Sequence, residues 1–280
     1  MSEWINTGFI VIIVFFYKQD FEFNPKVKTS LVSHRECKKS LERQGVLLRK
    51  PEEHIHFISG NTFQSVLKHM ALKLNESFDD SKYNKESLLV VEFKLIYSAC
   101  IYERAIFGQS VWCRLFSPED LRIIEYSNDL DIYYAGSYGR DINKKITCDL
   151  LNEILQHIRK SGSIKDSKKQ TSLNFTHAGL LKRLYAMFGL FEKFSSSHCR
   201  STDHCWNEWR TSLVIPFLSN LNLVVYDCPT LVPSRRLVAR VQEHPVLIKG
   251  CNGLLCSLDQ FISFYSDQTV PCDLEKICRL

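Results

Sequence analysis

The sequence predicts an α/β core joined to a mostly α-helical domain, and three observations carry that expectation. Residues 24–159 repeat apolar side chains at helical spacing. After the polar, basic stretch 159–170 the periodicity changes to strand, helix, strand. The chain has 280 residues, 45% hydrophobic and 24% charged, which is enough for a large core and too apolar for a disordered chain. The expected organisation is an apolar segment over 1–23, a mostly helical domain over 24–165, and an α/β region over 166–280.

The N-terminal segment is the least regular. Phe9 to Tyr17 reads FIVIIVFFY, nine apolar residues, too few for a membrane-spanning helix. The preceding MSEWINTG carries Glu3 and no Lys or Arg, and no small-x-small cleavage site follows. A buried strand, a degraded signal and a misplaced start all fit these residues.

The helical elements come next. Ser65 to Leu74 places Val66, Leu67, Met70, Ala71 and Leu74 on one face. Leu88 to Phe107 runs uninterrupted to Gly108, with Leu88, Val91, Leu95, Ala99 and Tyr102 expected inward. Ser117-Pro118-Glu119-Asp120 has an N-cap, a proline at the first helical position and acids in the first turn. The following helix covers Leu121 to Tyr134 and ends at Gly136; Asp149 to Ile158 forms another. Beyond the basic stretch, Thr171 to Thr176 reads as a strand, Ala178 to Gly189 as a helix and Leu221 to Tyr226 as an apolar strand. Leu237 to Val241 and Val246 to Ile248 read as two short strands around Pro245.

Charge and cysteine content bound the function. Lys and Arg number 36 against 31 Asp and Glu, a formal charge of +5 that suits an anionic small molecule. There is no aromatic-basic interleaving and no zinc-finger spacing, so nucleic acid is not an expected partner. Eleven cysteines are many for a reduced domain. The close pairs Cys199/Cys205, Cys251/Cys256 and Cys272/Cys278 read as disulfide-closed loops of an oxidising compartment, with buried free thiols the alternative. The odd total leaves at least one cysteine unpaired within the chain. Oligomeric state is not legible.

Leu173-Asn174-Phe175-Thr176-His177-Ala178-Gly179 sets a histidine where an apolar strand turns into a helix. Free N–H groups at a helix start favour an anion such as phosphate, and a histidine there either contacts that anion or caps the helix. Gly136-Ser137-Tyr138-Gly139-Arg140 lacks the lysine and Ser/Thr of a nucleotide-binding loop and reads as a turn, near which Arg140 and Lys144 add positive charge. His198-Cys199 and His204-Cys205 offer zinc-type donors, but adjacent residues rarely point at one ion, and no metal or other cofactor is expected. Of two glycosylation sequons, Asn75-Glu76-Ser77 is expected to be exposed; Asn174-Phe175-Thr176 falls in a core strand where a glycan has no room.

A dispersed set of residues carries a family resemblance. Trp112-Cys113 through Phe116, Glu125-Tyr126, Asn128-Asp129-Leu130, Tyr138-Gly139, Ile142-Asn143 and Cys148 form its first half. Arg210 through Phe217, Ser219-Asn220-Leu221 and Tyr226-Asp227-Cys228 form its second. In order and spacing these resemble the multiple inositol polyphosphate phosphatases, in the phytase-like branch of the histidine acid phosphatases. The resemblance implies a phosphoglycerate-mutase-like α/β core and metal-free hydrolysis of phosphomonoesters on inositol polyphosphates, with 2,3-bisphosphoglycerate as a further substrate, through a phosphohistidine. It implies a secreted or endoplasmic-reticulum protein with a phosphorylated small molecule as partner, and Phe57-Ile58-Ser59-Gly60 near the cleft. His177-Ala178-Gly179 matches the family's His-Ala-Glu, which makes His177 the phosphate-contacting histidine and puts Gly179 where the proton-donating acid belongs. The nucleophilic Arg-His-Gly has no match; the nearest sequence is Ser33-His34-Arg35-Glu36. On this reading residues 24–165 are a cap or insert domain, and residues 166–280 are the C-terminal part of an α/β core that is incomplete at its N-terminus, lacking its first strand and helix. The chain is either a phosphomonoester hydrolase by family, without the nucleophile motif and the proton donor, or a catalytically inactive anion-binding or protein-interaction remnant.

Overall fold

The computed structural model describes residues 10–15, 37, 51–77, 88–161, 171–192, 209–228, 230–269 and 272–279. In chain order the elements are β1 (Ile10–Phe15), α1 (Glu52–Ser59), α2 (Asn61–Ser77), α3 (Val90–Phe107), a 3-10 turn (Trp112–Leu115), α4 (Pro118–Gly136), α5 (Ile142–Lys145) and α6 (Cys148–Ser161). They continue with β2 (Thr171–Thr176), α7 (Ala178–Met187), α8 (Thr211–Val214), β3 (Asn220–Asp227), β4 (Arg235–Val241), β5 (His244–Val246), β6 (Cys256–Ser257), α9 (Leu258–Asp267) and α10 (Leu274–Arg279). The chain divides into two compact units. One comprises residues 1–49, 132–194 and 207–280; the other comprises 50–131 and 195–206.

The first unit is built on a six-stranded mixed sheet in the order β2-β1-β3-β4-β5, with β6 pairing β4. β1 runs antiparallel to β2 and parallel to β3. The sheet is therefore closed between β2 and β3 by the apolar segment that sequence reading left between strand, signal and misplaced start, and no central strand lies bare there. Along β3 and β4, Leu221, Leu223, Leu237, Ala239 and Val241 alternate onto one face. Helices α6, α7 and α9 bury Leu151, Leu155, Ile158, Leu180, Leu184 and Phe261 in the same core. The strand expected over 246–248 falls instead on His244–Val246, with Pro245 inside it. β5 ends the sheet path, and an edge strand tolerates a residue that cannot donate to the ladder.

The second unit is helical. Ser117 caps α4 as the sequence predicts: the Asp120 N–H donates to Ser117 Oγ at 3.1 Å, while Ser117 N–H donates back to Asp120 Oδ2 at 2.7 Å. Together the two bonds satisfy orphan donors reciprocally. Gly108, at φ 76°, closes α3 in the left-handed conformation open to glycine. α2 buries Val66, Leu67, Met70 and Ala71 as expected.

α3, however, is turned. Val91 and Leu95 are 69% and 62% exposed, and Tyr102 is exposed too, whereas Phe93 and Cys100 are buried, with Ile96 and Tyr97 packed beside them. Both sets of residues follow helical spacing, so periodicity could not choose between them. The aromatic payload chooses: Phe93 meets Phe63 at 5.4 Å and Phe116 at 6.4 Å, and Cys100 is bonded to Cys113.

Disulfides join Cys37–Cys278, Cys100–Cys113, Cys148–Cys272 and Cys251–Cys256. Cys251–Cys256 closes the expected short loop. Cys272 and Cys278 do not pair, because the segment after Cys272 coils into α10 and presents Cys278 to Cys37. Cys228 is free, and the Cys199/Cys205 pair lies outside the described residues.

Candidate functional site at the β2–α7 junction

β2 is rich in Thr, Leu and Phe, suits a pleated strand, and delivers the chain to His177 in extended conformation, φ −123° and ψ 167°. α7 begins at the next residue. His177 caps it: Nδ1 accepts the Gly179 N–H at 3.0 Å, and the His177 carbonyl accepts Leu180 N–H at 3.1 Å and Leu181 N–H at 3.4 Å. The amides that sequence reading left free for an anion are thus engaged by His177 itself. A backbone N–H can only donate, so Nδ1 is an acceptor and the neutral ring carries its proton on Nε2. The junction sits on a rigid base, since Leu180, Leu181, Leu184 and Tyr185 are fully buried below it and the Tyr185 hydroxyl donates to the Asn220 carbonyl at 3.3 Å.

The strand register fixes what adjoins this end of the sheet. Ile10 is paired with Thr176, and Phe15 with Thr171. The start of β1 therefore lies beside His177, and its outgoing end is five residues away along the sheet, about 17 Å at the usual strand rise.

Charge near the junction comes from α7. Arg183, 7% exposed, donates through Nη1 to the Gly179 carbonyl and through Nη2 to the Ala135 carbonyl at 2.8 Å. Burial pulls its pKa down to about 10, so it remains a cation at neutral pH. Sequence reading missed Arg183. The available signal was the pair Lys182-Arg183 interrupting the apolar run Leu180 to Phe188.

The remaining sequence candidates separate. Gly136–Arg140 is a turn, as expected: Ser137 and Gly139 N–H both donate to the Tyr133 carbonyl, and Asn143 Nδ2 donates to the Ser137 carbonyl at 2.9 Å. Tyr138 seals this turn against the segment that follows α7 by donating to the Leu190 carbonyl at 2.8 Å; burial raises its pKa far above the ordinary phenol value. The Lys144 ammonium lies 4.6 Å over the Tyr138 ring. Phe57, Ile58 and Ser59 end α1 in the helical unit. Asn174 is buried, in keeping with a sequon that cannot carry a glycan, while Asn75 sits half-buried in the last turn of α2 rather than exposed. Ser33 to Glu36 and His198 to Cys205 lie outside the described residues.

Two further polar clusters occur in the helical unit. His54 Nε2 and Ser127 Oγ are 3.1 Å apart, with Asp131 Oδ1 3.7 Å from Nδ1. Both His54 and Ser127 are buried, so this contact ties α1 to α4 and presents no nucleophile. His69 Nδ1 meets Asp120 Oδ2 at 3.0 Å. A groove of about 510 Å³ is lined by Glu52, Glu53, Ile55, His56 and Ser59; its two carboxylates disfavour a phosphate. Among the described residues no group of three or more His, Cys, Asp or Glu is placed to hold a metal, and no helix is long and apolar enough to cross a membrane.

A mixed sheet covered by helices, with a histidine at the turn from strand into helix, defines the class: an α/β protein with its polar chemistry at a strand end. The family description "Histidine phosphatase superfamily (branch 2)" matches residues 58–243, more than half of the chain, and the chain belongs to that superfamily. It is 31% identical over 235 residues to multiple inositol polyphosphate phosphatase 1 of Homo sapiens, covering 80% of this chain and 46% of that protein. The same protein of Gallus gallus is 30% identical over 197 residues, 67% of this chain and 44% of the relative. A thiamine-repressible acid phosphatase of Schizosaccharomyces pombe is 28% identical over 204 residues, 70% of this chain and 43% of the relative. The chain thus spans less than half the length of each of these curated relatives.

Proposed function

We propose that the 280 residues bind a phosphorylated small molecule of the inositol polyphosphate type at His177 and do not themselves hydrolyse it. The observation that carries this reading is the composition of the β2–α7 junction. His177 is oriented by Gly179, with a donor at Nε2 suited to a phosphoryl oxygen, yet Gly179 brings no carboxyl group to protonate a leaving alcohol. The phosphohistidine route that the resemblance implies also needs a nucleophilic histidine beside cations, and Arg-His-Gly does not occur in the sequence. The direction of β1 supports the same view, since its C-terminal residue Phe15 pairs with Thr171, at the opposite end of β2 from Thr176. The relatives' printed name supports an inositol polyphosphate as ligand class.

The disulfides support folding in an oxidising compartment, secreted or lumenal. A mostly helical domain over 24–165 and an α/β phosphatase-type core over 166–280 complete this reading. Calorimetric titration of inositol hexakisphosphate, paired with a phosphate-release assay, tests the proposal. Binding lost in His177→Ala with no catalytic phosphate release is the expected result. Steady release that His177→Ala abolishes would replace it with the second reading, a working phosphomonoester hydrolase, which the relatives' names favour.

A further inference from the structure

We propose that Arg183 supplies the positive charge that holds the anion at the β2–α7 junction. This rests on the binding reading above and assigns its electrostatic partner. Arg183 lies within α7, is more than nine-tenths buried, and pairs with no carboxylate among the described residues. Its two hydrogen-bond acceptors, the Gly179 and Ala135 carbonyls, satisfy two N–H directions without neutralising the charge, and its buried Nε–H has no partner among the described residues. A buried guanidinium in that condition is costly unless a counter-charge reaches it.

The sequence determines where that counter-charge can come from. Positions 179 and 183 are one turn apart on the same helical face, the spacing at which an acid pairs with an arginine. Gly179 leaves that face without a side chain, and the Arg183 head reaches back to the Gly179 carbonyl in the first turn. His177, Gly179 and Thr176 are partly exposed around it. The positive end of α7 adds to the same potential. Because Gly179, Leu180 and Leu181 N–H are already engaged by His177, the guanidinium rather than the backbone is the main cationic group of the junction. The ligand chemistry this suits is a phosphate monoester dianion.

Arg183→Met and Arg183→Lys, with inositol hexakisphosphate and inorganic phosphate as probes, test the assignment. Arg183→Met is expected to weaken binding of both by about ten- to hundredfold, as loss of a charged hydrogen-bonding group does, with Arg183→Lys recovering part of it. Gly179→Glu is the second variant, and does not depend on deleting a buried group. It is expected to raise the melting temperature, by giving Arg183 a partner, and to weaken binding by a similar factor. Folded Arg183→Met, or Gly179→Glu, binding as tightly as the unaltered chain would overturn the proposal and leave Arg183 as a cap on the Ala135 carbonyl. If the unaltered chain binds neither probe, the binding reading falls as well, so the two failures are distinct.

Discussion

Helix α7 buries eight of its ten residues, including an arginine, whereas α3, eighteen residues long, buries Phe93 and Cys100. Both segments are apolar enough to serve as core helices. The difference lies in what packs around them. α7 is enclosed by α6, α9 and the sheet in a single hydrophobic cluster, while α3 contributes one face to the core of the helical unit. Burial is thus set by the surrounding layers, and the same apolar content has different energetic meaning in the two places.

Substitution gives the largest contrast. Leu184→Ala in α7 removes a fully buried side chain and is expected to cost about 2–5 kcal/mol. Leu95→Ala in α3 removes a mostly exposed one and is expected to stay within about 0.5 kcal/mol. Urea unfolding of the two variants measures both; equal losses would break the comparison. Removing the Cys148–Cys272 bridge, which closes a separation of 124 residues in the sheet unit, is expected to cost about 2–5 kcal/mol. The Cys100–Cys113 bridge spans only 13 residues in the helical unit and is expected to cost less on its removal, since a short loop loses less unfolded-state entropy. Differential scanning calorimetry of the paired Cys→Ala variants ranks them.

Smaller effects separate the units by chemistry. Ser117→Ala deletes the α4 cap and is expected to cost about 1 kcal/mol in denaturant melts. Asp120 in the same box adds a pH dependence. Burial pushes its carboxyl up, but the Ser117 hydroxyl and N–H, with His69, outweigh that and hold its pKa below the ordinary value. The unfolded chain therefore binds more protons than the native one in this range. The contribution is present above the unfolded carboxylate pKa and is lost as pH falls through the depressed folded value. Asp120→Asn is expected to flatten the stability profile below about pH 4; an unchanged acid limb would remove Asp120 from the account.

Local signals made much of this legible. Ser117 and Pro118 marked a helix start, Gly108 a helix end, and Thr171 through Gly179 a strand, a capping histidine and a helix, because each depends on neighbours within a few residues. The family resemblance was carried by residues spread over both units, which is why it survived modest identity. Long-range choices were not legible. The turned face of α3 was decided by Phe63, Phe116 and a disulfide to Cys113. The partners of Cys272 and Cys278 are 124 and 241 residues away. Burial of Arg183 depended on the carbonyl of Ala135, 48 positions earlier. At the site, His177 caps α7 through Nδ1, one of the two roles its position at a helix start allows, and the role proposed for it uses the Nε2–H.

Phosphorus NMR of inositol hexakisphosphate held with a stoichiometric amount of the protein tests binding and turnover in one sample. Shifted or broadened ligand resonances that revert in His177→Ala, with no growing inorganic phosphate signal, are the predicted result. An inorganic phosphate resonance that grows with time and disappears in His177→Ala would contradict the account.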